Sequence, residues 1–153
     1  MKHMKYYNQE DFPDSIEYQC PPKEAKQFQG KIYRFSKKVN NKTDSKDWIS
    51  DSKIKNAYNK WSSVNNYELM CQSSGYSCFL SEKQAKTAFN EMTKKNKALK
   101  KKFKSLYYVA VNKTDGVLLD TTNPKKEYEH FTFWMSCKSD IATHHFQVTK
   151  LQA

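Results

Sequence analysis

The stretch Ser81–Lys104, SEKQAKTAFNEMTKKNKALKKKFK, has the residue spacing of an amphipathic helix. Ser81 followed three positions later by Gln84 is typical of a reciprocal N-terminal cap, in which each side chain bonds to the backbone N–H of the other residue. One face of a 3.6-residue period carries the apolar side chains of Ala85, Ala88, Phe89, Met92, Leu99 and Phe103. The polar run at 93–97 is the place where this helix could kink or split. We therefore expect a helix that packs its apolar stripe against a sheet and leaves its lysines in solvent.

Short segments rich in β-branched and aromatic residues lie on both sides of this helix and predict strands. They occur at 31–36 (KIYRFS), 76–80 (YSCFL), 106–112 (LYYVAVN), 117–120, 127–135 (EYEHFTFWM, a strongly alternating segment) and 144–151. Lys113-Thr114-Asp115-Gly116 is typical of a hairpin turn, which would pair the strands on either side of it. Residues 54–61 have the spacing of a second helix, and residues 67–71 fit either a short strand or a helical turn. The sequence therefore predicts an α+β fold with a sheet of five or six strands, mostly antiparallel, and two main helices.

The length of 153 residues fits one domain, which we place at 31–153 behind an N-terminal arm at 1–30. Prolines in the arm oppose regular structure, so we expect at most a short helix there, packed on the domain by Phe12, Tyr18 or Phe28. No apolar run approaches the roughly 20 residues that span a bilayer. The first residues, MKHMKYYNQEDFP, lack the apolar segment of a signal peptide. We therefore expect a cytoplasmic protein that does not enter a membrane.

The positive charge of the chain is concentrated in one segment. The net charge is +11, and the 31 residues from Lys83 to Lys113 hold ten lysines and a single acid, Glu91, which gives +9. Such a cluster attracts nucleic acid, an acidic protein or an anionic membrane surface, and a merely solvated lysine face is the alternative. The candidate nucleic-acid-binding residues are Lys94, Lys95, Lys97, Lys100, Lys101, Lys102 and Lys104.

Arginine is nearly absent, because only Arg34 among the 27 basic residues is an arginine. Lysine acts on phosphate as a point charge, whereas arginine carries the planar fork that reads guanine. A lysine cluster therefore predicts salt-sensitive binding to nucleic acid or another polyanion with little sequence specificity. An acidic protein is the alternative partner, and copurification of such a protein would distinguish it from nucleic acid.

The chain contains four cysteines, Cys20, Cys71, Cys78 and Cys137. No two of them form a Cys-x-x-Cys pair, and their spacings to His144 and His145 are poor matches to a zinc site. The two histidines alternate across a predicted strand, so they cannot hold one ligand together. We therefore expect no bound metal, and we expect reduced, buried thiols of the kind usual in the cytosol.

Three polar residues on or near predicted strands follow one another along the chain in an order that suggests a catalytic site. Arg34 lies on the first predicted strand, Ser77 on the strand before the long helix, and Glu129 in a Glu-x-Glu pair. This order resembles the arginine–serine–glutamate pattern of ADP-ribosyltransferase-like proteins, and GYSCFLSEKQAKTAF at 75–89 is similar to their strand-then-helix passage. Where that family carries Ser-Thr-Ser, this chain has Tyr-Ser-Cys.

The resemblance implies an NAD-dependent transferase with the chemistry of small toxins and defence effectors. Arg34 would hold the NAD phosphates, Ser77 would line the nicotinamide site, and Glu129 would stabilise the ribosyl cation. If the protein has no such activity, no cofactor is expected. His130 is a further candidate catalytic residue, as a general base or a phosphate ligand. In the alternative interpretation Arg34 forms a structural ion pair, and the glutamates and His130 are ordinary strand residues.

Overall fold

The computed structural model describes residues 5–14, 16–37, 48, 50, 66–141 and 147–151, with only the backbone at 147–150. These ranges hold a 3-10 helix at Gln9–Asp11 and three α-helices, α1 (Tyr67–Ser74), α2 (Glu82–Lys95) and α3 (Ala98–Lys102). They also hold seven strands, β1 (Lys26–Gln27), β2 (Gly30–Ser36), β3 (Tyr76–Cys78), β4 (Ser105–Val111), β5 (Gly116–Asp120), β6 (Phe131–Met135) and β7 (Gln147–Lys150). The predicted α+β class is confirmed, while the helix predicted at 54–61 lies outside the described residues.

Helix α2 begins where the sequence predicts. The Ser81 hydroxyl oxygen accepts a bond of 3.1 Å from the backbone N–H of Gln84, which satisfies one donor of the first turn. The other half of the predicted cap is not formed as expected, because the Gln84 side chain accepts a bond from the backbone N–H of Glu129. The helix ends at Lys95, and α3 starts three residues later, so the predicted split in the polar run is confirmed.

The strands are divided between two antiparallel sheets. One sheet has four strands in the order β1-β5-β6-β3, and the other has three in the order β2-β4-β7, counted over the described residues. An isolated bridge between Tyr33 and Phe79 joins β2 to the end of β3 through two backbone bonds of 2.8 and 3.0 Å. This bridge sets the two sheets next to each other at the strand that carries Ser77.

The predicted hairpin between β4 and β5 is wrong, since these strands belong to different sheets. The turn between them contains Asp115, which is buried, and its carboxylate accepts bonds from the backbone N–H of Asn112 and the hydroxyl of Ser139. Its carbonyl also accepts a bond from the backbone N–H of Ser136. Asp115 is therefore bonded to the segment that follows β6, and strand β5, which begins at the next residue, pairs with β6. At Gly116 an added Cβ would collide with the backbone of Trp134, so this close approach needs glycine.

Strand β6 is shorter than the sequence suggests. The alternation at 127–135 predicts a strand over all nine residues, yet β6 begins only at Phe131, and four of its five residues are buried. Strands β5 and β3 cover its two edges. The Trp134 indole donates a 3.1 Å bond to the carbonyl of Cys71 in α1, so the polar atom of this buried ring is satisfied. Residues 121–130 instead form a loop closed by a bond from the Thr121 N–H to the His130 carbonyl.

Two clusters of buried side chains hold the sheets and helix α2. The first takes residues from both sheets, including Ile32 of β2, and the second packs α2 against β2 and β4. Tyr33 and Phe35 contact the second cluster, so the predicted alternation along β2 is confirmed. The ring of Phe35 lies 5.7 Å from that of Phe89 in α2 and 5.6 Å from that of Phe103 after α3. These contacts hold helices α2 and α3, which we call the helix pair, against β2 near the lysines.

The N-terminal arm is held by a disulfide, which overturns the expectation of reduced thiols. Cys20 is bonded to Cys71 in α1, with the two Cα atoms 5.7 Å apart and a sequence separation of 51. Cys78 is a buried thiol and Cys137 an exposed one. Nothing in the local sequence reveals the pairing, because the fold brings the arm onto α1 only through long-range packing, such as the contact of Tyr18 with Tyr67. None of the helices in the described part of the chain is long and apolar enough to cross a membrane.

Candidate functional site

The lysines of the candidate nucleic-acid-binding set lie along the end of α2, through α3 and just beyond it. Lys94, Lys95, Lys97, Lys100, Lys101 and Lys104 are exposed, and Lys102 is half-buried, with its amine 5.2 Å from the centre of the Phe103 ring. The only acid in this part of the helix is Glu91. At the opposite end of α2, Lys86 forms an ion pair with Glu82 at 3.1 Å. The positive charge is therefore concentrated at the C-terminal end of the helix pair.

One further lysine joins this group from a different element. Lys126, in the loop between β5 and β6, lies beside Lys95 of α2, and the neighbouring amine lowers the pKa of Lys126. Glu91 is close enough to oppose this effect. We call Lys126 and the seven predicted lysines the basic surface. Two adjacent ammonium groups repel each other, so an anion placed between Lys95 and Lys126 would relieve an unfavourable contact.

Arg34 is anchored at the junction of the two sheets. Its Nε donates a 3.2 Å bond to the Tyr107 hydroxyl, and its Nη1 donates a 2.7 Å bond to the carbonyl of Ser77. The guanidinium also lies 5.0 Å from the ring of Trp48 and 5.2 Å from that of Tyr76. A hydroxyl, a carbonyl and two aromatic faces therefore hold this side chain against the sheet.

A chain of hydrogen bonds links Ser77 to the end of the 121–130 loop. The Ser77 hydroxyl lies 2.6 Å from Nε2 of His130, and Nδ1 of that imidazole lies 2.8 Å from the hydroxyl of Thr121. The Thr121 hydroxyl is in turn 3.0 Å from that of Thr132. Ser77 is exposed and His130 is half-buried. The imidazole is therefore held between a solvent-facing hydroxyl and an inner polar chain.

The sheet and the loop both position this imidazole. Ser77 lies opposite Thr132 in the pairing of β3 with β6, which places its hydroxyl near the start of β6. The backbone N–H of His130 donates a 3.0 Å bond to the Thr122 hydroxyl. The ring of Phe79 meets the imidazole edge-on with the centres 5.7 Å apart. Bonds from the Thr122 hydroxyl and N–H lower the pKa of the Asp120 carboxyl, and the His130 imidazole, when protonated, acts in the same direction.

Arg34 and the Ser77 hydroxyl lie on opposite faces of β3. Tyr76 and Cys78 point into the first buried cluster, so the Ser77 side chain between them points the other way. The guanidinium lies against Tyr76 and Tyr107, members of that cluster, and therefore meets Ser77 at its backbone. The geometry brings the hydroxyl of Ser77 together with His130 instead.

Glu129 is exposed and stands next to this group. Its backbone N–H donates a 2.8 Å bond to the Gln84 side chain, which ties the loop to the first turn of α2. The sequence pattern groups Arg34, Ser77 and Glu129 and leaves His130 as a separate candidate, so it does not connect Ser77 with His130. The pattern also does not reveal Thr121 and Lys126, because hydroxyl and amine side chains in a polar loop carry no pattern of their own, and it assigns Gln84 to the helix cap and not to Glu129.

No metal centre emerges from the cysteines and histidines that the structure describes. Cys71 is engaged in the disulfide, and burial raises the pKa of Cys78 to about 12, so that group stays a thiol. Over the described ranges, no three His, Cys, Asp or Glu side chains come together as a metal ion would require. His144 and His145 lie outside those ranges.

Comparisons of the chain with protein-family models, curated proteins and solved structures found no match.

Proposed function

We propose that the protein binds polyanions, with nucleic acid as the leading ligand, through the basic surface. The observation that carries this proposal is the convergence of Lys126, from the loop between β5 and β6, on the lysines at the end of α2. Two elements of the fold thus contribute amines to one region, as a phosphate-binding surface requires.

The chemistry of the surface sets the expected mode of binding. Lysine amines contact phosphates as point charges and release condensed counterions, so the affinity should fall steeply with salt. Phosphate contacts position a protein on nucleic acid and do not read bases, so sequence preference should be weak. Glu91 opposes binding by placing a negative charge beside Lys95 and Lys126.

The test measures fluorescence anisotropy of a labelled duplex and a labelled single strand over a series of salt concentrations. A triple variant, Lys94→Ala, Lys97→Ala and Lys101→Ala, should lower the slope of log K against log salt by up to about 2.7 on duplex, at about 0.9 for each lost phosphate contact. Glu91→Gln should raise the affinity.

The matched control removes the same charge elsewhere. Lys23, Lys31 and Lys113 are exposed and belong to neither α2 nor α3; Lys31 pairs near the far end of β4, and Lys113 follows that end. Their triple alanine variant should retain the wild-type slope. Absence of binding at low salt, or equal losses in the two triple variants, would end this proposal. Copurification of an acidic protein that competes with the duplex would instead favour the alternative partner.

A second candidate function, ADP-ribosyl transfer from NAD, rests on the resemblance and on one observation. Arg34 donates a 2.7 Å bond to the backbone carbonyl of Ser77 from the face of β3 opposite the Ser77 hydroxyl, and Glu129 lies in the segment next to the Ser77 partner His130. For this function the guanidinium would have to leave the Tyr76 face and turn toward the Ser77 hydroxyl. Its present bonds to Tyr107 and Ser77 are the contacts that NAD phosphates would replace.

NAD binding by calorimetry and nicotinamide release by chromatography test this candidate. Arg34→Ala should abolish binding, whereas Glu129→Gln should keep binding and lose nicotinamide release, because the carboxylate acts on the cationic transition state. Glu127→Gln changes the other, equally exposed acid of the pair and serves as the control. Wild-type protein that neither binds NAD nor releases nicotinamide would exclude this function.

A further inference from the structure

The pair formed by Ser77 and His130 has the geometry of an activated nucleophile. The distance of 2.6 Å between the Ser77 hydroxyl and Nε2 of His130 is within reach of direct proton transfer. An activated serine typically shows a nucleophile, a base within hydrogen-bond distance and a third group that orients the base. Thr121, 2.8 Å from Nδ1, stands in the third position.

The hydrogen bonds from Ser77 through His130 and Thr121 to Thr132 can all be formed with each hydroxyl and ring N–H donating toward Thr132. If the Thr121 hydroxyl donates to that of Thr132, at 3.0 Å, its oxygen is free to accept the proton on Nδ1 of His130. The neutral imidazole then carries its lone pair on Nε2, which accepts from the Ser77 hydroxyl. This arrangement gives Ser77 a base in the required tautomer.

The surroundings favour the charge that the imidazole would acquire. The Asp120 carboxylate and His130 attract each other, and two bonds from Thr122 keep that carboxylate ionised. An imidazolium formed at His130 would therefore be stabilised by a fixed negative charge. Apolar rings back the imidazole: the buried Phe79 meets it edge-on, and the ring centre of the half-buried Tyr128 lies 6.2 Å from that of Phe79. These rings supply no cation for a phosphate ester, so an uncharged ester is the substrate class that they favour.

We propose that Ser77 is a nucleophile toward uncharged carboxylic esters, that His130 is its general base, and that Thr121 positions the imidazole. The Ser77 oxygen forms a bond to the ester carbonyl carbon while its proton passes to Nε2 of His130. The bond from that carbon to the alkoxy oxygen then breaks, and the alcohol leaves with the proton from His130. Water, deprotonated by His130, cleaves the acyl group from Ser77 and releases a carboxylic acid, and the proton returns to Ser77.

This inference is independent of the basic surface, because none of its residues is one of those lysines. The test uses the full chain and a biotinylated fluorophosphonate, which forms a phosphorus–oxygen bond at an activated serine and releases fluoride. Peptide mapping should locate the label on Ser77. His130→Gln should slow labelling at least about 100-fold, the usual contribution of a general base. Ser77→Ala should remove the label and the burst of p-nitrophenol released from p-nitrophenyl acetate.

The positioning role of Thr121 is tested by the pH dependence of labelling, which a general loss of stability would not change in the same way. Thr121→Val should change the pH dependence of labelling, since the imidazole loses its orienting partner, and Thr121→Ser should restore the wild-type profile. Thr87→Val removes an exposed hydroxyl that bonds to the Lys83 carbonyl of its own helix, and it should leave the profile unchanged. Thermal unfolding of each variant verifies that it is folded.

The wild-type chain alone also tests the proposal. Its labelling rate should fall at acid pH, where a protonated imidazole cannot accept the Ser77 proton. An unlabelled Ser77, a rate that does not depend on pH between about 5 and 8, where an imidazole titrates, or equal rates in wild type and folded His130→Gln would each overturn the assignment.

Discussion

Breaking the link between Cys20 and Cys71 should cost a large part of the stability of this fold. The disulfide joins residues 51 apart in sequence, and closing a loop of that length restricts the unfolded chain by about 4 kcal/mol on the chain-entropy model. Folded domains of this size are stable by only about 5–15 kcal/mol. In Cys20→Ser the remaining thiol of Cys71 is buried in α1, where a free cysteine behaves as a small apolar side chain.

Urea unfolding followed by tryptophan fluorescence measures this effect. With a slope of about 2 kcal/mol per molar urea, the midpoint should fall by about 2 M in Cys20→Ser and equally in wild type with reductant. Cys137→Ser changes an exposed thiol and should stay within about 0.5 kcal/mol of wild type. Chain denatured without reductant should show two free thiols, those of Cys78 and Cys137. Four free thiols, or a midpoint insensitive to reductant, would refute the reasoning.

Three further outcomes are expected. Native protein treated with iodoacetamide at pH 8 should be alkylated at Cys137 and protected at Cys78, whose burial raises its pKa to about 12, and mass spectrometry of the digested protein measures the ratio. Trp134→Phe should lose about 1–2 kcal/mol in urea unfolding, a modest cost because the Ser74 hydroxyl still donates to the Cys71 carbonyl. Because the Asp120 pKa is lowered in the folded state, its carboxylate stabilises the fold above its ordinary pKa near 4, and this contribution disappears as the pH falls through the lowered value. Thr122→Val should raise that pKa in an NMR titration, whereas Thr87→Val should not.

The features that the sequence predicts are those encoded within one turn or one strand. Ser81 and the apolar period define the start and the buried face of α2, and the polar run marks its end. The alternation in β2 likewise assigns Tyr33 and Phe35 to one face. These signals act between residues close in sequence, so they do not depend on how distant parts of the chain pack.

The features that the sequence does not predict depend on contacts between distant residues. The turn at Asp115 looks like a hairpin because its residues favour a tight turn, yet bonds to Ser136 and Ser139 commit β5 to the other sheet. Ser77 and His130 are 53 residues apart and meet only because β3 pairs with β6. Residues 127–130 alternate like a strand, but the bond from Glu129 to Gln84 and the bonds of the 121–130 loop hold them outside the ladder.

That loop supports both candidate sites. Lys126 near its middle joins the basic surface, and His130 at its end faces Ser77. Between them, Glu129 is bonded to Gln84 in the first turn of α2, so the helix that carries Lys94 and Lys95 also holds the segment next to the imidazole. A polyanion bound at Lys95 and Lys126 could alter the Ser77 site only if it favours one arrangement of this loop over another. The closing bond from the Thr121 N–H to the His130 carbonyl and the bond from the His130 N–H to the Thr122 hydroxyl oppose such a change. We therefore expect that polyanion binding at the basic surface, if it occurs, leaves the arrangement of Ser77 and His130 unchanged.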